Sequence, residues 1–193
     1  MNTVHVLLID TFADWEPALI LAQLRAMLGW SVVTVGVGDA EVRSMGGLRT
    51  VPDRTLDAVD PGSVTGLLVP GGARWEERER PPVTRFLRAA WDAGATIGAI
   101  CAGTTAVAHA GLLDARPHTS NGRGYLEEKV PGYRGAALYE DAMVLRDGRL
   151  VTAPGHGYAE WSRETLAALG AMSAEDLAGW YDFVKNGKPV VNG

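Results

Sequence analysis

The order in which apolar and helical segments alternate narrows the fold more than anything else in this chain. The apolar run VHVLLID (4–10) precedes a helical pattern carrying Leu19, Ile20, Leu24, Met27 and Leu28. Gly29 then stops the helix and a second apolar run, SVVTVGV (31–37), begins. Near-continuous apolar runs are strands buried on both faces. A strand, helix, glycine, strand order is the mark of a parallel βαβ unit. Asp14 is read as the N-cap of that helix, and Pro17 is tolerated in its first turn.

The pattern continues. Residues 41–52 read as a short hairpin around Gly46 and Gly47. GLLVPGG (66–72) is a third core strand, followed by a helix starting near Pro82. Residues 95–100 form a strand, Cys101 a sharp junction, and 103–111 a helix. Strands flank the Asp147-Gly148 turn within 142–154, and two helical patterns, GHGYAEWSRETLAALG and SAEDLAGWYDFVKNG, follow. No repeat, linker or low-complexity tract interrupts residues 1–193, so one α/β domain is expected. It is a flavodoxin-like three-layer sandwich, with helices on both faces of a mostly parallel sheet.

Composition excludes several functions. Lys and Arg total 18 against 23 Asp and Glu, a net charge of −5, and no basic run exceeds two residues. Nucleic acid and anionic membranes are therefore not the expected partners. His5 and Asp10 interrupt the first apolar run, which reads as neither signal peptide nor membrane span. A single cysteine excludes an intrachain disulfide and any multi-cysteine metal site, and no two histidines sit at ligand spacing. The expectation is a cytoplasmic protein that needs neither metal nor organic cofactor.

Ligands of open α/β sheets bind at the carboxyl ends of the strands. Three such ends carry unusual residues: DTFADWE, PGGARWEE and CAGTTA. The strongest signal is GAICAGTTAVAHAG, where an apolar strand meets a helix at Cys101 among small residues. That is the setting of a nucleophile elbow, in which a strained turn lifts one side chain out. The helix start is expected to lower the thiol pKa from about 8.5. The Ala102 N–H supplies one oxyanion donor and Gly72 a second, with Gly71 and Asn121 completing the candidate binding set. Glu16, in the first turn of helix one, is expected to have a raised pKa beside a thiolate and to relay a proton; a plain helix N-terminal Glu favoured by the dipole is the other reading.

His5 reads as a packed strand residue and His109 as a helix-surface residue. His118 and His156 lie in loops able to reach the site, and His156 with Glu160 suggests a Cys, His, Glu constellation. Trp15 and Trp75, at the same edge, point to a two-fold homodimer with the site near its interface.

VLLID…DWE, LLVPGG and AICAGTTAVAHAGLLDARPHTSN resemble the ThiJ/PfpI superfamily, which includes deglycases and relatives of class I glutamine amidotransferases. The resemblance runs from the first strand to about residue 160. It implies a flavodoxin-like sandwich, a reactive elbow cysteine at Cys101, a protonated glutamate at Glu16 touching it, and a homodimer. Members described as proteases carry His where this chain has Ala102, and deglycase-like members carry His where it has Asn121, with His118 three residues earlier. The expected function is a cysteine-dependent hydrolase or lyase of glyoxalase or deglycase type, acting on small electrophilic carbonyls in stress protection. The alternatives are hydrolysis or hydration of a C–N substrate, as in amidotransferase or isocyanide-hydratase relatives, and a non-enzymatic cysteine redox sensor.

Overall fold

The computed structural model describes residues 2–188. The first strand is β1 (Thr3–Leu8), followed by helix α1 (Trp15–Ala22) and β2 (Ser31–Gly36). Two-residue strands β3 (Val42–Arg43) and β4 (Arg49–Thr50) form the expected hairpin, and β5 (Arg54–Thr55) lies at the sheet edge. Then come β6 (Gly66–Val69), α2 (Thr84–Asp92), β7 (Thr96–Ile100) and α3 (Gly103–His109). The chain closes with α4 (Tyr125–Lys129), β8 (Leu145–Asp147), β9 (Leu150–Ala153), α5 (Tyr158–Ala168) and α6 (Ala174–Asn186).

The main sheet has the order β5-β2-β1-β6-β7-β9-β8. Every pairing in it is parallel except β8 with β9, which the tight turn at Asp147-Gly148 forces to be antiparallel. Helices α1, α5 and α6 pack together on one face, while α2, α3 and α4 cover the other. Strand β7 is touched by α5 from one side and α3 from the other. This two-sided cover is why β1, β6 and β7 read as unbroken apolar runs: Val4, Val6, Leu67, Leu68, Ile97 and Ile100 have no exposed surface. Each such side chain contributes about 1.5–3 kcal/mol of burial. The flavodoxin-like α/β reading therefore holds.

Three local readings change. Asp14 precedes α1 but does not cap it; its carboxylate accepts from the Ser44 hydroxyl at 2.8 Å, tying the β3–β4 hairpin to the loop after β1. The segment after α1, Gln23–Met27, winds as a π-helical turn before Gly29. Trp75, expected at an interface, is 2% exposed, and its indole N–H donates to the Pro70 carbonyl.

The tightest contact in the fold lies where β6 runs beneath the start of α3. A Cβ on Gly103 would stand 2.1 Å from the Val69 carbonyl oxygen. Only glycine lets helix and strand approach this closely. Gly103→Ala is expected to destabilise the protein by about 1–3 kcal/mol in urea titration; an unchanged midpoint would show the contact to be loose.

Candidate active site

The carboxyl ends of four neighbouring strands converge on one thiol. Cys101 follows β7 directly, and its φ of 56° is the left-handed conformation an elbow requires. A side-chain-bearing residue in that region costs on the order of 1–3 kcal/mol, so its surroundings must hold it. They do so through the backbone. The Cys101 N–H donates to the Ala153 carbonyl at 2.9 Å, and its own carbonyl accepts from Thr104 N–H and from the Thr104 hydroxyl at 2.6 Å. Two glycines leave room for the side chain. A Cβ on Gly71 would lie 3.0 Å from the sulfur and 2.9 Å from Glu16 Oε2. One on Gly155 would lie 3.0 Å from the sulfur and 3.2 Å from Glu16 Oε1. Gly155 was not singled out from sequence, although Pro154-Gly155 follows a strand just as Pro70-Gly71 does.

Glu16, the second residue of α1, has no exposed surface. Its Oε2 accepts from the Gly71 N–H at 2.6 Å. Its Oε1 has no partner in full hydrogen-bond geometry, yet it sits beside the Cys101 thiol closely enough for each group to affect the other's ionisation. Burial raises the Glu16 pKa to about 7, against the opposing pull of the Gly71 N–H and the thiol. The carboxyl is thus poised to lose or gain a proton near neutrality, rather than held permanently protonated.

The expected drop in the thiol pKa is reversed. Burial, followed by the Glu16 charge, pushes Cys101 up to about 11, outweighing the Asn121 amide and the Ala102 N–H. The seven-residue α3 does not offset that burial. A thiolate here needs a neighbouring base, and Glu16 is the carboxyl beside it.

The remaining candidates divide. Asn121 is in the site: its Nδ2 donates to the Cys101 sulfur at 3.4 Å, and its Oδ1 accepts from the Gly155 N–H at 3.0 Å. Ala102 also belongs, its N–H favouring the charged form of the sulfur. The Gly71 N–H is taken by Glu16, so Gly71 is a wall and a carboxylate anchor rather than an oxyanion donor. The Gly72 N–H makes no backbone hydrogen bond among the described residues.

Neither histidine partners the cysteine. His118 is fully buried, with Nδ1 on the Arg116 carbonyl at 2.7 Å and Nε2 on the Tyr133 hydroxyl. Its ring packs edge-on to Tyr133 and Tyr139, and burial lowers its pKa. Both nitrogens are spent on structure. His156 is exposed on the turn Gly155–Gly157, where it lines a cavity of about 260 Å³ together with Asn121, Ser120 and Met143. Glu160 turns away from it, accepting from the Tyr181 hydroxyl at 2.7 Å and pairing with Lys185 at 2.9 Å. The Cys, His, Glu constellation does not form, because α5 aims Glu160 at α6. Among the described residues no group of three or more His, Cys, Asp or Glu could hold a metal ion, and no helix is long and apolar enough to cross a membrane.

Sequence reasoning also missed Tyr125. Its hydroxyl donates to Glu76. It lies on a five-residue helix whose periodicity is too short to read.

A raised carboxyl pKa favours the folded state below the unfolded-state value near 4.5, and that stability is lost as pH rises through about 7. Glu16→Gln keeps an acceptor for Gly71 without the charge. Thermal unfolding of this variant should therefore lose the wild-type decline between pH 4.5 and 7, leaving it more stable above neutrality by about 3 kcal/mol. Parallel wild-type and variant pH curves would contradict the assignment.

The chain is similar to known proteins over most of its length. The chain is 34% identical over 193 residues to the uncharacterized protease YoaZ of Bacillus subtilis, covering 96% of this chain and 92% of that one. It is 28% identical over 169 residues to deglycase TK1284 of Thermococcus kodakarensis, covering 86% of this chain and 98% of that one. Among solved structures, a thiJ/pfpI family protein from Bacillus anthracis superposes with a TM-score of 0.91 at 34% identity, over 98% of this chain and 93% of the other. The DJ-1/PfpI family profile matches residues 2–168, and the chain belongs to that family.

Proposed function

We propose that this protein is a cysteine-dependent enzyme acting on small electrophilic carbonyls, with 2-oxoaldehydes such as methylglyoxal as the substrate class. The observation that carries the reading is the pairing of the elbow thiol with a buried carboxyl whose pKa is about 7, with no imidazole on the sulfur. The deglycase name of the Thermococcus relative points the same way.

In the first step Glu16 carboxylate takes the Cys101 proton as the sulfur bonds to the aldehyde carbon. The carbonyl π pair moves onto oxygen, where the Ala102 and Gly72 N–H groups receive it. Glu16 returns the proton to that oxygen, leaving a hemithioacetal. Moving the hydrogen of this carbon, as a proton, to the neighbouring carbonyl carbon gives a 2-hydroxyacyl thioester. Water hydrolyses it to a 2-hydroxy acid and frees the thiol. Glu16 carries these protons as the acid–base group beside the sulfur. Neither His118 nor His156 is placed to protonate a leaving amine, so peptide or amide hydrolysis, which would leave that step to Glu16 as well, is the weaker reading.

We further propose a two-fold homodimer. Trp15 is 48% exposed beside the site, and the hairpin tied to the adjacent loop exposes Met45 and Leu48. Light scattering at micromolar concentration should give twice the 20.5 kDa of one chain, whereas a mass of one chain would refute the dimer.

The reaction is tested by methylglyoxal consumption. Wild type should turn it over, Cys101→Ser should not, and Glu16→Gln should be slower by about 10²–10⁴-fold. The wild-type kcat/KM should rise with pH through about 7, where Glu16 becomes a base. Equal turnover by wild type and Cys101→Ser would remove the proposal.

A further inference from the structure

Cys101 is held at three points, and two of them trace to consecutive residues of one distant segment. Its N–H is bonded to Ala153, its carbonyl is capped by Thr104, and its sulfur accepts from Asn121. Ser120, the residue before Asn121, places its hydroxyl oxygen 2.6 Å from that of Thr104. Both side chains are buried.

The chemistry of the pair fixes which hydroxyl donates. The Cys101 carbonyl can only accept, so the Thr104 hydrogen is committed to it at 2.6 Å. Were that hydrogen turned to Ser120 instead, the Thr104 oxygen would meet the carbonyl oxygen lone pair to lone pair at the same distance. Ser120 is therefore the donor to Thr104, and the bonds run in one direction, from Ser120 through Thr104 to the Cys101 carbonyl. A threonine hydroxyl in a first helical turn readily bonds the carbonyl three residues back, as Thr105 does to Ala102 at 2.7 Å. At Thr104 a second hydroxyl, from outside the helix, backs that bond.

Ser120 is itself fixed. The residues His118, Thr119 and Ser120 are buried. The Thr119 N–H donates to the Thr152 hydroxyl of β9 at 2.9 Å, and the Thr119 hydroxyl donates to the Ala142 carbonyl at 3.1 Å. The His118 carbonyl accepts from the Glu140 N–H at 3.0 Å. The left-handed conformation of Cys101 is uphill for a residue with a side chain. Leaving it means turning one of the two peptides that flank Cys101. The Ala153 carbonyl holds the first by its N–H, and Thr104 holds the second by its C=O.

The geometry points to Ser120 as a positioning residue for the thiol: it keeps the Thr104 hydroxyl on the Cys101 carbonyl, and so keeps the strained elbow from relaxing and the sulfur on the Asn121 amide. The proposal deepens the reading of Cys101 as the reactive residue and rests on it. Ser120 touches no reacting atom and moves no proton; it acts through Thr104. Buried hydroxyls bonded in series polarise one another, which strengthens the last bond of the chain.

The test reads the thiol rather than turnover: the rate of Cys101 alkylation by iodoacetamide as a function of pH, each variant being assayed well below its Tm. Glu16, the titratable side chain beside the sulfur, is unchanged throughout the series. Thr104→Val keeps the shape of threonine without the hydroxyl. It should slow alkylation at pH 7 about tenfold and move the midpoint of the profile upward, because the sulfur leaves its Asn121 donor. Thr104→Ser, which restores the hydroxyl, should recover most of the rate. Ser120→Ala should slow alkylation about threefold with the same upward move. The double variant should be no slower than Thr104→Val alone, because Ser120 acts through Thr104. A purely structural Ser120 would lower the Tm and leave the rate and midpoint unchanged. That result, faster alkylation in Ser120→Ala, or additive effects in the double variant would overturn the proposal. Alkylation needs no carbonyl substrate, so a failure of methylglyoxal turnover leaves this result to be judged separately.

Discussion

The left-handed backbone of Cys101 is the constraint on which the rest of the site depends. A cysteine pays a penalty for that conformation, and the penalty is met by contacts made elsewhere. Gly103 lets α3 sit on the Val69 carbonyl, Ala153 accepts the Cys101 N–H, and Thr104 caps the carbonyl. Because α3 starts on top of β6, the sulfur stands between the ends of β6 and β9 instead of following the axis of β7. Gly71 and Gly155 then become obligatory, since any Cβ there would fall within 3.0 Å of the sulfur.

The electrostatics follow from the same crowding. A carboxyl with no exposed surface and a thiol sharing one pocket cannot both ionise readily. Each is raised by desolvation, and the charge on Glu16 raises the thiol further. The consequence is a coupled pair in which the carboxylate forms first. A helix start acting alone would have predicted a free thiolate; burial is the larger effect here. Asn121 and Ala102 favour the charged form of the sulfur against that burial.

The structure brings neither His118 nor His156 onto the sulfur. His118 is locked between Arg116 and Tyr133, and His156 is exposed on a turn. Glu16 is thereby the titratable side chain beside the sulfur, with Asn121 donating to that sulfur.

The parallel sheet and the elbow at Cys101 were legible in the sequence, because each rests on local pattern, whereas Glu16 rested on the family resemblance. Apolar runs declare doubly covered strands, and a cysteine between a strand and a run of small residues declares a junction. Tertiary structure alone decided what depends on distance across the chain. Gly155 faces the sulfur from 54 positions away only because β9 pairs with β7. Glu160 belongs to α6 rather than to His156 because of where α5 packs. The pKa of the thiol was beyond sequence for the same reason: spacing locates a helix start, but only packing sets how much water and how much opposing charge surround the sulfur.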